Sequence, residues 1–149
     1  MDLNEDRARE ILDRAHAAWA NGDIEGVLSE YAQDLTYWCN TGGPDGGALC
    51  IEGKDAFRAY LRALASTIES ITIVDYFRFR DGVARAGVEF YIRHKATGHK
   101  LAGVYRQVIT YRDSKILRLE QYHDAARRVA FWSLVGGRPP DSPTDEASG

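Results

Sequence analysis

The sequence has no apolar run that approaches the roughly 18 residues of a membrane span. Its first six residues, Met-Asp-Leu-Asn-Glu-Asp, lack the basic and then apolar pattern of a secretory signal peptide. These two absences predict a cytoplasmic protein without a membrane anchor. Cysteine is scarce as well. In that compartment we expect Cys39 and Cys50 to be reduced thiols, with a disulfide between them as the less favoured alternative.

A basic excess is also missing. The 19 lysines and arginines are outnumbered by 22 acidic residues, and the resulting net charge of −3 argues against a nucleic-acid partner. No pair of histidines has a spacing typical of a metal site. The glycine-rich stretch at residues 42–47 is not followed by the Lys-Ser/Thr of a phosphate-binding loop. We therefore expect neither a metal nor an organic cofactor.

What the chain does have is enough apolar residues, 44% of 149, for the core of one domain. Three helices are predicted in its first half, where apolar residues recur every three or four positions. Their apolar faces contain Ala8, Ile11, Leu12, Ala15 and Trp19 in the first helix, Ile24, Val27, Leu28 and Tyr31 in the second, and Phe57, Tyr60, Leu61 and Leu64 in the third. Asp23 is expected to cap the second helix.

The second half of the chain changes to the pattern of strands. Four strands are predicted at residues 71–80, 83–94, 101–112 and 115–123, and their short connections require antiparallel neighbours. An earlier strand is predicted at residues 35–40. A last helix covers residues 124–135, with Asp124 as its cap. Residues 136–149 are predicted to form a disordered tail, which leaves residues 1–135 as a single domain.

These elements predict an α+β domain with the shape of a cone. A twisted antiparallel sheet is concave on one face, and the helices of the first half can close that face. Small residues in mid-strand, such as Gly87 and Gly103, permit bending and close approach. Such a cone encloses an apolar cavity with few polar groups, which is a typical site for a small apolar or aromatic ligand.

Three segments carry a resemblance to a known family. They are WANGDIEGV with its continuation YAQDLTYW (residues 19–27 and 31–38), IEGKDAF (residues 51–57) and KILRLEQYHD (residues 115–124). With the order of the elements, they resemble the nuclear transport factor 2-like superfamily, and within it the SnoaL-like polyketide cyclases and the relatives of ketosteroid isomerase. The resemblance implies an internal pocket and a homodimer through the open face of the sheet. It does not fix the function, because this fold hosts several chemistries.

The resemblance does not bring the family's catalytic groups with it. In ketosteroid isomerases a base aspartate of the first strand falls at Cys39, and a tyrosine of the first helix falls at Ala15. In relatives of limonene epoxide hydrolase, the aspartate of the last strand falls at Gln121. The tyrosine and asparagine of the first strand fall at Tyr37 and Cys39. Only Tyr37 is retained, so neither reaction is predicted by those residues.

Strand alternation places the remaining candidate residues. It puts Gln121 and His123 on one face of the last strand, and Tyr37 and Cys39 on one face of the first strand. By the resemblance, that is the pocket face. We expect His123 to act as acid or base, because imidazole titrates near neutral pH. Tyr37 and Gln121 would orient a ligand oxygen. The predicted ligand contacts are Trp19, Tyr37, Cys39, Phe57, Leu61, Gln121 and His123.

Two hypotheses for the function follow from these residues. The first is a cofactor-free isomerase, cyclase or dehydratase that moves a proton on an apolar, oxygenated ligand. The second is a non-catalytic ligand-binding or dimeric assembly module, in which His123 is a hydrogen-bonded packing residue. A ligand that binds tightly and is never converted would favour the second.

The outer face of the sheet is left for solvent or for the second subunit of a homodimer. The residues expected there are the alternating set Arg85, Glu89, Tyr91 and Arg93, with the tyrosines Tyr76 and Tyr105. The other histidines, His16, His94 and His99, are predicted to lie at the surface.

Overall fold

The computed structural model describes residues 2–43 and 46–136. That part of the chain contains four helices and six strands. The helices are α1 (Glu5–Ala20), α2 (Ile24–Ser29), α3 (Lys54–Thr67) and α4 (Ala125–Leu134), and the strands are β1 (Tyr31–Cys39), β2 (Leu49–Glu52), β3 (Ile68–Arg80), β4 (Val83–His94), β5 (Lys100–Arg112) and β6 (Lys115–Tyr122). The predicted α+β class is confirmed. No described helix is long and apolar enough to cross a membrane.

Three of the helices begin at a side-chain cap. Asn4 accepts the backbone N–H of Arg7 at 2.8 Å at the start of α1. Asp23 accepts that of Gly26 at 2.9 Å, and Asp124 accepts that of Arg127 at 3.2 Å. The caps predicted at Asp23 and Asp124 are therefore confirmed. Each such cap is worth about 1 kcal/mol, because it satisfies an N–H that the helix itself leaves unpaired.

All six strands form one sheet in the order β2-β1-β6-β5-β4-β3. Strands β3 to β6 make the predicted antiparallel meander, and β1 pairs in parallel with β6. Strand β2 was not predicted, because its four residues follow the glycine-rich loop and pair only with β1. Strand β1 begins at Tyr31, which the helical pattern had assigned to the second helix and which lies opposite Ile116 of β6.

A register shift at Asp75 bends β3 next to β4. Gly87 of β4 lies opposite Tyr76, and a Cβ at Gly87 would stand 2.7 Å from Asp75 Oδ1. A Cβ at Gly103 of β5 would stand 3.1 Å from the ring of Phe90. Both glycines thus permit the close approach that their mid-strand positions predict.

The core lies between the helices and the concave face of the sheet. Tyr105, Ile109 and Tyr111 of β5 alternate into it. Tyr105 is 6% exposed, so its predicted position on the outer face is wrong. A register difference of one residue reverses the direction of every side chain on a strand. Tyr76 and Tyr91 are 49% and 50% exposed, as predicted.

The two cysteines lie on paired strands but point to opposite sides. Trp38 is opposite Cys50, and Cys39 is opposite Leu49. Cys39 is buried and Cys50 is exposed, and both are free thiols. The predicted tail lies outside the described residues apart from Gly136, as do two residues of the glycine-rich loop, Pro44 and Asp45.

Candidate functional site

A cavity of about 130 Å³ lies between the helices and the concave face of the sheet. In another protein, an apolar cavity of about 150 Å³ binds benzene, so this one suits a ligand built on one ring. Its aromatic lining consists of Trp19, Tyr31, Tyr37, Phe57, Tyr60, Phe90, Tyr105 and Trp132. Apolar walls of this kind bind the body of a ligand, and the few polar groups among them set its orientation.

Two hydrogen-bond donors converge on one oxygen at the wall made by β1 and β6. The hydroxyl of Tyr37 donates to Oε1 of Gln121 at 3.2 Å. Nε2 of His123 lies 3.0 Å from the same oxygen. Because an amide oxygen only accepts, His123 carries its proton on Nε2. The ring of Tyr37 is held by stacking on Phe57, with the ring centroids 4.9 Å apart.

Neutral groups hold the ring and the backbone of His123 in place. Its ring stacks on Tyr105 with the centroids 4.3 Å apart, and it packs edge-to-face on Phe90 with the centroids 5.8 Å apart. Its backbone N–H donates to Oδ1 of Asn40 at 2.8 Å, and Nδ2 of Asn40 donates to the carbonyl of His123 at 3.0 Å. Among the described residues, its buried Nδ1 has no partner. Sequence analysis missed Asn40, because the parallel pairing of β1 with β6 brings it there.

Burial, aided by the positive charge of Arg128, lowers the pKa of His123 to about 2. The ring is therefore neutral at physiological pH, and it is a weak base. It can still donate a hydrogen bond through Nε2–H, as a neutral imidazole does in other enzymes. We name Tyr37, Gln121, His123 and Arg128 the His123 cluster.

A second polar group lies on the wall made by α1, β3 and β5. Nδ1 of His16 is 2.5 Å from Oγ1 of Thr72, and His16, Thr72 and Gln107 all line the cavity. The prediction of a surface position for His16 is wrong. His16 is four residues after Leu12, so the two side chains lie on the same face of α1. The curved sheet covers that face. We name His16, Thr72 and Gln107 the His16 cluster.

The charges around His16 differ from those around His123. Burial lowers the pKa of His16, but Gln107 and the carboxylate of Asp13 act in the opposite direction. Gln107 of β5 lies directly opposite Gln121 of β6, so the two clusters are neighbours on the inner face of the sheet. The Oε1 atom of Gln107 is buried and has no partner in the described part of the chain.

Arg128 brings a positive charge to the cavity wall. It lies in the first part of α4, three and four residues before the buried Phe131 and Trp132. Its Nη1 is 3.7 Å from Sγ of Cys39, and Tyr60 is near enough to hydrogen-bond with its side chain. Sequence analysis missed Arg128, although the spacing to residues 131 and 132 places all three on one helix face.

The structure brings most of the predicted ligand contacts together. The lining includes Trp19, Tyr37, Phe57, Leu61, Gln121 and His123. Cys39 is buried in the core behind Arg128 and is not among the lining residues. Burial raises the pKa of its thiol, so Cys39 is a poor nucleophile. In the described ranges, no group of three or more histidine, cysteine or acidic side chains could hold a metal ion.

Comparison with known proteins identifies the family. The SnoaL-like domain matches residues 12–119, most of the folded chain. The chain belongs to the SnoaL-like family. No curated protein matches this SnoaL-like chain.

Solved structures share its fold. A candidate polyketide cyclase from Xanthomonas campestris is 18% identical with a TM-score of 0.74, over 86% of this chain and 98% of that one. TerC, co-crystallised with polyporic acid, is 20% identical with a TM-score of 0.72, over 88% and 99%. A protein with a ketosteroid isomerase-like fold from Catenulispora acidiphila, in complex with trimethylamine, is 14% identical with a TM-score of 0.70, over 90% and 98%. These likenesses establish the nuclear transport factor 2-like fold.

Proposed function

We propose that this SnoaL-like protein binds a small, largely apolar ring compound in its cavity and moves a proton on it, in an isomerisation, cyclisation or dehydration. The observation that carries the proposal is the convergence of two donors, Tyr37 and His123, on the single oxygen of Gln121. A ligand carbonyl that takes the place of this amide oxygen receives both hydrogen bonds. Such a pair of donors stabilises the negative charge that develops on a carbonyl oxygen when a neighbouring carbon loses a proton.

The proton acceptor in this proposal is His16. Sequence analysis assigned acid–base chemistry to His123, but a ring with a pKa of about 2 accepts a proton poorly at neutral pH. His16 lines the same cavity, and the charge of the Asp13 carboxylate acts to raise its pKa. We therefore expect His16 to be the stronger base. No metal or organic cofactor is needed for a step in which carbon loses a proton to imidazole and the electrons move to oxygen.

A second candidate is a module that binds the ligand without converting it. The observation that favours it is the lowered pKa of both imidazoles, since burial weakens each of them as a base. The fold relative TerC, which was crystallised with polyporic acid, supports a small organic ligand under either candidate.

Proton exchange separates the two candidates. The purified protein would be incubated in D₂O with cyclohexanone, a one-ring ketone with exchangeable protons next to its carbonyl, and deuterium uptake would be followed by NMR. We expect uptake above the buffer rate for the native protein and loss of the excess in His16→Gln. The surface variant Arg80→Ala, at the exposed end of β3, should behave as the native protein. Saturable binding of cyclohexanone with uptake at the buffer rate would favour the binding module.

We also propose a homodimer through the outer face of the sheet. Large apolar side chains that are about half exposed cluster on the strands of that face: Ile71, Ile73, Tyr76, Tyr91, Val104 and Tyr122. Several exposed apolar side chains on one face of a sheet are typical of a protein interface. Sedimentation equilibrium should give the mass of two chains, and Val104→Lys should give the mass of one. A native chain that stays monomeric at high concentration would contradict the dimer.

A further inference from the structure

The proposed proton transfer does not explain why a cation lines an apolar cavity. Arg127 and Arg128 are neighbours in α4, but they have different surroundings. Arg127 is exposed, and its Nη2 donates to the carbonyl of Ala102 at 2.7 Å. Arg128 is partly buried and lies against the cavity. The chain thus holds a matched pair of arginines, one directed away from the ligand site and one directed into it.

Arg128 differs from the surface arginines in its partners. Nε of Arg14 is 2.6 Å from Oε1 of Glu30, and Nε of Arg58 is 2.8 Å from Oε2 of Glu25. Within residues 2–43 and 46–136, no carboxylate oxygen lies within 4.0 Å of the Arg128 guanidinium.

The groups that do lie near Arg128 are neutral. Burial raises the pKa of Tyr60 and of Cys39, so at neutral pH neither is an anion that could balance the charge. A guanidinium withdrawn from water without a counterion is costly. Among the described residues, Sγ of Cys39 and the hydroxyl of Tyr60 are the acceptors identified for its five N–H donors.

We propose that Arg128 binds an acidic oxygen of the ligand, so that the cavity takes a ring-sized organic anion with a carboxylate or an ionised enol. The inference rests on the proposed function, because it assigns the ligand class of the same cavity. A guanidinium presents two parallel N–H groups that match a carboxylate, and the hydroxyl of Tyr60 adds a donor beside them. The aromatic walls bind the ring while Arg128 binds the acid, and Tyr37 and His123 remain available for a second oxygen.

Matched pairs of ligands test this assignment. Calorimetric titrations at pH 7.5 would compare benzoate with benzamide, and cinnamate with cinnamamide, so that each pair differs only in the acidic group. We expect the native protein to bind the acids about 10- to 100-fold more tightly, as a hydrogen-bonded charge is worth that much. Arg128→Met should lose this preference and keep its affinity for the amides. Arg127→Met should keep the preference.

Each outcome decides the inference. Equal binding of acid and amide by the native protein, or an unchanged preference in Arg128→Met, would overturn it. If Arg128→Met does not fold, the paired titrations of the native protein still decide. Binding of amides but not acids would reject the anionic ligand and leave the proposed cavity function standing. Failure of all four compounds to bind would count against both.

The stability of the unliganded protein gives a second readout. If Arg128 serves ligand binding, its buried charge lowers the stability of the unliganded protein. Arg128→Met should then have a melting temperature equal to or higher than that of the native chain. A lower melting temperature together with an unchanged acid preference would assign Arg128 a structural role.

Discussion

His16 and His123 face the same cavity, yet their surroundings give them different chemistry. His16 lies on a helix and contacts Thr72, and the carboxylate of Asp13 acts to raise its pKa. His123 follows a strand and is stacked on Tyr105, and the cation of Arg128 acts to lower its pKa. Burial lowers the pKa of both rings, but only at His123 does a neighbouring charge act in the same direction. The sign of that charge separates a candidate base from a fixed hydrogen-bond donor.

The largest effect that would test this comparison is on proton exchange. We expect His16→Gln to lower the excess rate of deuterium uptake by about 10²- to 10⁴-fold, the usual contribution of a positioned base. His123→Gln should lower it less, because it removes one donor and leaves the base. NMR uptake assays on both variants, with circular dichroism to confirm folding, measure the difference. A larger loss in His123→Gln would reverse the assignment.

The second effect concerns the two converging donors. Tyr37→Phe keeps the ring that stacks on Phe57 and removes only the hydroxyl that donates to Gln121. We expect the same uptake assay to fall by about 10²-fold, at the low end of what one oxyanion donor contributes. Affinity for a ring ketone should change little. Tyr31→Phe is a matched control, because Tyr31 also lines the cavity but lies outside the His123 cluster. Equal losses in the two variants would argue against converging donors.

The third effect is the pH dependence of stability. The pKa of His123 falls from an ordinary value of 6.5 to about 2 on folding. Between these values the unfolded chain binds more protons than the folded one, so stability is full above pH 6.5 and is lost as the pH falls. At pH 5 the loss from this ring is about 2 kcal/mol. Urea unfolding of the native protein and of His123→Gln from pH 7 to pH 4.5 should show a shallower slope in the variant. Equal slopes would contradict the lowered pKa.

The smallest effect concerns the helix that carries Arg128. Asp124→Ala removes the cap of α4 and should lower the free energy of unfolding by about 1 kcal/mol. Asp23→Ala removes the cap of α2, which does not carry Arg128, and should lower the free energy of unfolding by a similar amount. Only Asp124→Ala should also weaken the binding of benzoate, since it loosens the start of α4. Equal binding by both variants would show that the cap does not position Arg128.

The sequence by itself determined most of the architecture. Apolar spacing located all four helices, and short turns required the antiparallel meander from β3 to β6. Strand alternation, which is local, put Gln121 and His123 on one face and Tyr37 and Cys39 on one face, and the resemblance to the family identified that face as the inner one. Sequence analysis failed at Tyr31, where an aromatic residue suits a helix face as well as a strand, and at β2, which is too short to show a pattern.

Tertiary structure alone decided the chemistry of the site. The pairing of β5 with β6 set Gln107 opposite Gln121, and the wrapping of the sheet around α1 covered His16. The contact of Arg128 with Cys39 joins residues 89 positions apart. Periodicity describes which face of its own element a side chain occupies. The pKa of a side chain and the presence of a counterion depend on which other groups lie within a few ångströms. Those groups come together only when the sheet curls and the helices cover its concave face.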